Sequence, residues 1–539
     1  MRTLTERTTR CLLVQPRFSG HSFWNYSEVC ELVGARYPAA PLGLITVAAL
    51  LPQHWAFRLV DENVRPLTEA DLEWADIVLV SGMLPQQNRM LAIIEEAHDK
   101  GKPVAVGGPD ATSQPHVYGK ADFLVLGEGE TTIPLFIEDL DRNATSGEYR
   151  SPLRADMTQA VIPRFDLIRF ADYMHVGVQF CRDCPFNCEF CDIIELFGRR
   201  PRSKTPEQMV AELQTLYDLG YRGHVDFVDD NFIANRSRVI DALQAIADWS
   251  KRHDYPFFFS TEASVNLAKE EKLLRLMQKN DFRYVFVGFE SPDEEVLIRT
   301  QKVQNRGVSA VEAVRVLNSY GMIVNGGFIL GFDGETETTA ANMVDLIQDA
   351  GICMAMAGTL TALPNTQLSR RLTREGRLYG GGEARVRDAV DVDQTTSGLN
   401  FATARPRTAI LHDYIDILRQ VYDPRKYYER ILRTANQLEP AYKSRPGLEH
   451  TLEMALAFLK LSIKAGFNRR TGRLYWLTLG KVLLRNPRAA EAAVNLAAMY
   501  VHFSEQSDFV IRTLERQVAD IETYGEERYN QLMSERRGA

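Results

Sequence analysis

Four of the chain's seven cysteines stand within eleven residues, spaced Cys181-x2-Cys184-x3-Cys188-x2-Cys191. Thiolates gathered this densely bind metal, exchange disulfides or carry an iron-sulfur cluster. Structural zinc sites built from two CxxC pairs separate the pairs by about a dozen residues or more, so that the chain can fold back. Only three residues separate them here. A redox pair at Cys181 and Cys184 leaves the other two thiols unexplained. The inner triple, Cys184-x3-Cys188-x2-Cys191, suits a loop around one face of a [4Fe-4S] cube, with three irons held and the fourth open to a small molecule. Zinc and a purely structural cluster remain the alternatives. Cys11, Cys30 and Cys353 are scattered, which argues against a disulfide scaffold and for a reducing compartment.

Such a loop needs a frame, and the 539-residue chain has the means to build several cores: 45% of its residues are hydrophobic and 25% charged. Its net charge of -8 argues against a dedicated nucleic-acid partner. The first residues lack the apolar run of a signal peptide, and stretches such as "PLGLITVAALLP" are too short to span a bilayer. The expected location is cytoplasmic.

Across residues 1–140, short apolar runs ("CLLV", "FRLVD", "DIVLVS", "PVAVGG", "FLVLG") alternate with helical periodicity. This α/β pattern predicts a doubly wound parallel sheet, with ligands beyond the carboxyl ends of its strands. Those ends carry Ser81 and Gly82, Gly107 and Gly108, and Gly127 and Glu128, where glycine permits close backbone approach. Residues 141–170 mix turn formers with prolines and read as a linker. From 171 to 370, six further strand-helix repeats predict a partial TIM-like (β/α)6 barrel with the cysteine loop after its first strand. Residues 371–539 read as helical, with no internal repeat.

At "CPFNCEFCDI" the chain resembles the radical S-adenosylmethionine (SAM) superfamily, whose signature is this CxxxCxxC triple with an aromatic, here Phe190, before the last cysteine. The resemblance is closest to the cobalamin-dependent branch, in which a doubly wound cobalamin-binding domain precedes the barrel and a helical extension can follow it. It implies a [4Fe-4S] cluster on Cys184, Cys188 and Cys191, with Cys181 a buried or idle thiol rather than a fourth ligand. It further implies SAM contacts from Asp229, Asp230, Ser260, Glu262 and Glu290 at the strand ends, a glycine-containing strand "GGFILGF" against adenine, and cobalamin over the first domain's strand ends. The Asp-x-His-x-x-Gly segment that ligates cobalt from below in some cobalamin domains does not occur in residues 1–140. His116, in a loop there, reads as solvated. For each barrel carboxylate, a helix-capping or surface role competes with ligand binding.

The implied reaction is methylation of an unactivated carbon of a small-molecule or lipid-like substrate. A 5'-deoxyadenosyl radical would take hydrogen and methylcobalamin would return a methyl group, with a flavodoxin- or ferredoxin-type protein as the external one-electron reductant. Cyclisation or rearrangement without methyl transfer is one alternative. A non-catalytic iron-sulfur protein is another.

One stretch lies outside this scheme. Between Glu453 and Glu491 there is no acidic residue, while Lys460, Lys464, Arg469, Arg470, Arg473, Lys481, Arg485 and Arg488 are basic. Interleaved with "LYWLTLGKVLL", the segment 460–488 suits peripheral contact with anionic lipid, the competing role being a solvated helical face.

Overall fold

A computed structural model describes residue 5, residues 8–379 except 21 and 24, and residues 395, 396, 398–444 and 448–538. Seven short strands come first: β1 (Arg10–Gln15), β2 (Tyr37–Ala39), β3 (Ala56–Asp61), β4 (Ile77–Ser81), β5 (Val104–Gly107), β6 (Phe123–Leu126) and β7 (Gly147–Arg150). All but β2 form one sheet in the order β3-β1-β4-β5-β6-β7, every neighbour parallel. The apolar runs are continuous because both faces are covered. Leu12, Val14, Val78 and Val80 pack with Met90, Ile93 and Ile94 on one side, and Cys11, Leu13, Ile77 and Leu79 pack with Phe123, Ile133 and Phe136 on the other. The strand order reverses between β1 and β4, the switch point at which doubly wound sheets open a crevice.

A second parallel sheet is built from β8 (Tyr173–Val178), β11 (Gly223–Phe227), β12 (Phe257–Glu262), β13 (Phe282–Glu290), β14 (Ile323–Leu330) and β15 (Ala355–Thr359), in the order β15-β14-β13-β12-β11-β8-β2. Between β8 and β11 lie two two-residue strands, β9 (Cys181–Arg182) and β10 (Arg202–Ser203), paired antiparallel. The six barrel strands fall where the sequence pattern places them.

Two elements cross the expected boundaries. Residues Tyr37–Ala39, inside the 1–140 stretch, pair with β8 as a seventh strand of the barrel sheet. Residues Gly147–Arg150, inside the expected linker, pair with β6 and complete the first sheet. Each is too short to show periodicity. In "GEYR" only Tyr149 is buried, with its ring 5.5 Å from Phe136.

The helical region braces β15, an edge strand whose unpaired carbonyls need partners. In helix Arg407–Val421, Tyr414 donates from its hydroxyl to Ala357 O at 2.7 Å, and the following Tyr422 does so to Ala355 O at 2.9 Å. The long helix Ala490–Tyr524 packs on helix Ser27–Val33, which leads into β2. Among the described residues no helix is long and apolar enough to cross a membrane.

Candidate functional site

The cysteine loop begins where β8 ends, and a β-ladder closes its base: Cys181 pairs with Ser203, and Arg182 with Arg202. Asp229, just past β11 and 1% exposed, accepts hydrogen bonds from the backbone N–H groups of Phe180 and Cys181. Farther round, Glu189 N donates to Thr300 O and Leu368 N donates to Glu189 O, each at 2.9 Å, while Glu189 Oε1 accepts from Arg371 at 2.5 Å. The loop is thus held from three sides. Cys191 N donates to Cys188 O at 3.2 Å in the turn between the last two thiols.

Burial raises the thiol pKa of Cys184 and of Cys191, and the neighbouring Cys188 adds to both. N–H donors approach the sulfurs: Asn231 Nδ2 lies 3.9 Å from Cys184 Sγ, and Gln304 Nε2 lies 3.6 Å from Cys188 Sγ. Burial opposes the charge of Lys302, but Glu290 and the thiols of Cys188 and Cys191 outweigh it and hold the ammonium protonated. Three thiols with amide donors and one cation suit an anionic thiolate-bound cluster. Cys181 is fully buried and its Sγ points to Asn231 O at 3.6 Å. Burial and Asp229 push that thiol far up.

The candidate SAM residues divide by position. Asp230 and Glu262 have carboxyls raised to about 7 and about 8, in each case by burial first and then by neighbouring aspartates. One oxygen of Asp230 is buried with no hydrogen-bond partner among the described residues. Together they form an uncompensated acidic patch that fits a cation. Asp229 is occupied by the loop backbone. Ser260 faces the barrel interior, its hydroxyl donating to Asp226 and lying 2.6 Å from His224 Nε2. Glu290 is tied to Lys302 at 2.6 Å. It stands at φ 65°, where the β13-β14 register shifts, a strained conformation for a side-chain-bearing residue. Phe190 lies 5.4 Å from Phe332 and 5.9 Å from Lys302 Nζ. A cleft of about 450 Å³ opens alongside, lined in part by Phe186, Asn231, Ser264 and Asn266.

The candidate cobalamin residues divide too. Gly108, at φ 93°, could carry no side chain, since a Cβ there would fall 2.4 Å from Ser81 Oγ. A Cβ at Gly82 would fall 2.8 Å from Met90 Sδ and one at Gly107 2.9 Å from Val125 O, so both glycines also allow close packing. Gly127, at φ 94°, faces open space. The buried carboxylate of Glu128 accepts from Arg182 Nη1 at 3.0 Å, from Arg202 Nη1 at 3.0 Å and from Ala155 N at 3.0 Å. Arg182 also pairs with Glu130, and Arg202 with Asp183. These ion pairs set the first sheet's strand ends against the cysteine loop. No motif marks Lys302 and Gln304, because only the fold brings them to the loop, and Arg182 and Arg202 flank it in sequence but gain their acidic partners only through the fold.

Comparison with known proteins agrees with this arrangement. The chain matches the B12 binding domain over residues 32–137, the radical SAM superfamily over 178–347 and a domain of unknown function, DUF4070, over 366–516. It is 41% identical over 518 residues to an uncharacterized methyltransferase of Synechocystis sp., covering 95% of this chain and 94% of that one. It is 37% identical to the hopanoid C-2 methylase of Rhodopseudomonas palustris, covering 79% of each. In fold it is similar to the radical SAM methyltransferase TsrM from Kitasatospora setae with cobalamin and [4Fe-4S] cluster bound, at 14% identity and a TM-score of 0.61, covering 90% of this chain and all of that one. Its domains and relatives agree along nearly the whole chain, which belongs to the cobalamin-dependent radical SAM methylase family, enzymes of a [4Fe-4S] cluster, SAM and cobalamin.

Proposed function

We propose that this enzyme methylates an unactivated carbon of a lipid-like substrate. The observation that carries the reading is the Glu128–Arg182–Arg202 cluster, which sets the cobalamin-type sheet's strand ends against the cysteine loop. When bound, the cofactors supply a hydrogen-abstracting radical and a transferable methyl group. In this reading Cys184, Cys188 and Cys191 hold the cluster, Asn231 and Gln304 donate to its sulfurs, and Lys302 offsets its charge. Asp230 and Glu262 take the cationic part of SAM, with Phe190 beside them. Asp229 and Glu290 position the loop and Lys302 rather than touch the nucleoside. Gly127 and the neighbouring strand ends receive cobalamin. An external one-electron reductant of the flavodoxin or ferredoxin type completes the system.

A lipid-like substrate is supported by the hopanoid C-2 methylase, and by a hopanoid C-3 methylase of Methylococcus capsulatus that is 26% identical over 41% of this chain. For such substrates the working place is a membrane surface, with the enzyme attached peripherally. The test is to incubate the reduced, cluster- and cobalamin-loaded protein with methyl-labelled SAM and a total lipid extract. Label in the lipid fraction, with both S-adenosylhomocysteine and 5'-deoxyadenosine formed, is the expected result. 5'-Deoxyadenosine without S-adenosylhomocysteine would instead indicate cyclisation or rearrangement, and neither product would leave an electron-transfer role.

A further inference from the structure

We propose that the hairpin of helices Leu448–Gly466 and Gly472–Arg485 is a docking face for an anionic lipid bilayer. The first helix is apolar yet uncovered: from Thr451 to Lys460 only Ala457 is even half-buried, and Leu452 is 66% exposed, Leu456 58% and Leu459 56%. Glu453, Lys460 and Lys464 line one face of this helix, and so many exposed apolar side chains on the rest of it are normally covered by protein or lipid. It packs inward only near its end, through Leu461 and Ala465. At the hairpin's tip Phe467 is 79% exposed. Trp476 Nε1 donates to Gly466 O at 3.1 Å and holds the turn closed while its ring remains partly in solvent.

The second helix divides into two faces. Tyr475, Thr478 and Val482 are buried, whereas Arg473, Trp476, Leu477, Lys481, Leu484 and Arg488 lead outward at helical spacing from this helix and the turn after it, with Leu484 87% exposed. Exposed apolar groups thus sit among eight basic side chains, from Lys460 to Arg488, in a chain of net charge -8. That charge selects the occupant. A second copy docked on the same face by two-fold symmetry would set eight positive charges against eight. An anionic bilayer neutralises them and accepts the apolar groups, the long basic side chains reaching up to the headgroups.

The face also lies in a useful place. Lys464 pairs with Glu28 of the helix leading into edge strand β2. Two residues before Glu28, the ring of Tyr26 packs edge-on against His502, which lines a cleft of about 310 Å³ with Glu28 and Phe509. Docked this way, the bilayer lies beside the open edge of the barrel sheet.

Vesicle flotation of the full-length, anaerobically reconstituted protein tests the proposal without turnover, so it stands or falls apart from the methylation reading. Wild type is expected to float with phosphatidylcholine–phosphatidylglycerol vesicles, at least about tenfold more tightly than with phosphatidylcholine alone, and to be released by high salt. The variant F467E/L477E/L484E, altered at exposed positions that hold no hydrogen bond of the turn, should lose that binding with an unchanged melting temperature. R469E/R470E/R473E should lose the salt-sensitive part. Wild type left unbound by anionic vesicles, or a stable dimer whose interface protects Phe467 and Leu484, would overturn the proposal.

Discussion

Arg202 Nη1 donates to both carboxylate oxygens of Glu128 at 3.0 Å, and this pair joins those of Arg182 in tying the first sheet to the ladder that closes the cysteine loop. Glu128 follows β6 and Arg202 precedes the barrel's first long helix, 74 residues on. The Glu128 side chain is 2% exposed, and its oxygens are filled by two guanidinium groups and a backbone N–H. A carboxylate so placed fixes the spacing between the two cofactor-binding domains.

Replacing Glu128 with Ala removes one partner of a buried pair, which costs about 3–5 kcal/mol when the remaining charge is stranded. Arg182 keeps Glu130 and Arg202 keeps Asp183, so the expected loss is at the lower end, about 3 kcal/mol. Differential scanning calorimetry should show a lowered melting transition, and cobalamin retention through gel filtration should fall with it. An unchanged melt and full retention would show that Glu128 joins nothing of consequence.

For the cysteines, Cys184→Ala, Cys188→Ala and Cys191→Ala are each expected to lose the cluster and all SAM cleavage. Cys181→Ala should keep both, because its Sγ is buried against Asn231 O and held as a thiol. Iron and sulfide content, read with the visible absorption band, decides the matter. Loss of the cluster in the Cys181 variant would make it a ligand and close the site to SAM.

The cysteine triple was legible because ligand spacing within one loop is local, and the barrel strands were legible because short strand-like runs recur with helix-sized intervals between them. What could not be read was long-range. Lys302 follows Glu290 by 12 residues, and nothing in "RTQKVQN" announces that its ammonium meets the thiols. Ser260 and Glu290 are of the right types at the right strands. Yet their polar atoms are taken by Asp226 and Lys302, partners that pairing register and a backbone irregularity supply. Glu128 sat on a strand end, where ligands bind, but two arginines from another domain reach it first.

Cobalamin bound to this enzyme should have no histidine beneath cobalt. The first domain lacks the Asp-x-His-x-x-Gly segment. Of its histidines, His54 Nε2 is engaged with Thr5 O at 2.7 Å and His98 Nε2 with Asp122 at 2.9 Å. The electron paramagnetic resonance spectrum of the cob(II)alamin form is expected to show no nitrogen superhyperfine splitting from a protein histidine, so that any triplet comes from the cofactor's own base and is unchanged in His116→Ala. A resolved nitrogen triplet that disappears in His116→Ala would reverse this.

SAM affinity should depend on pH through Glu262. Burial, then Asp226, Asp230 and Asp229, raise this carboxyl to about 8, so in the free enzyme it is mostly protonated at neutral pH. A cation favours the ionised form. Below pH 8, binding must therefore expel a proton, at about 1.4 kcal/mol for each pH unit. The dissociation constant for SAM should fall by about tenfold per unit between pH 6 and pH 7 and level off above 8. Asp230, raised to about 7, steepens the lower part of the curve. Titration calorimetry in buffers of different ionisation enthalpy reads both the affinity and the proton released. Glu262→Gln should bind more weakly at pH 8 and respond less to pH, leaving only the Asp230 contribution. An affinity that is flat from pH 6 to pH 8 in wild type would remove both carboxylates from the SAM site and return them to the barrel's internal polar network.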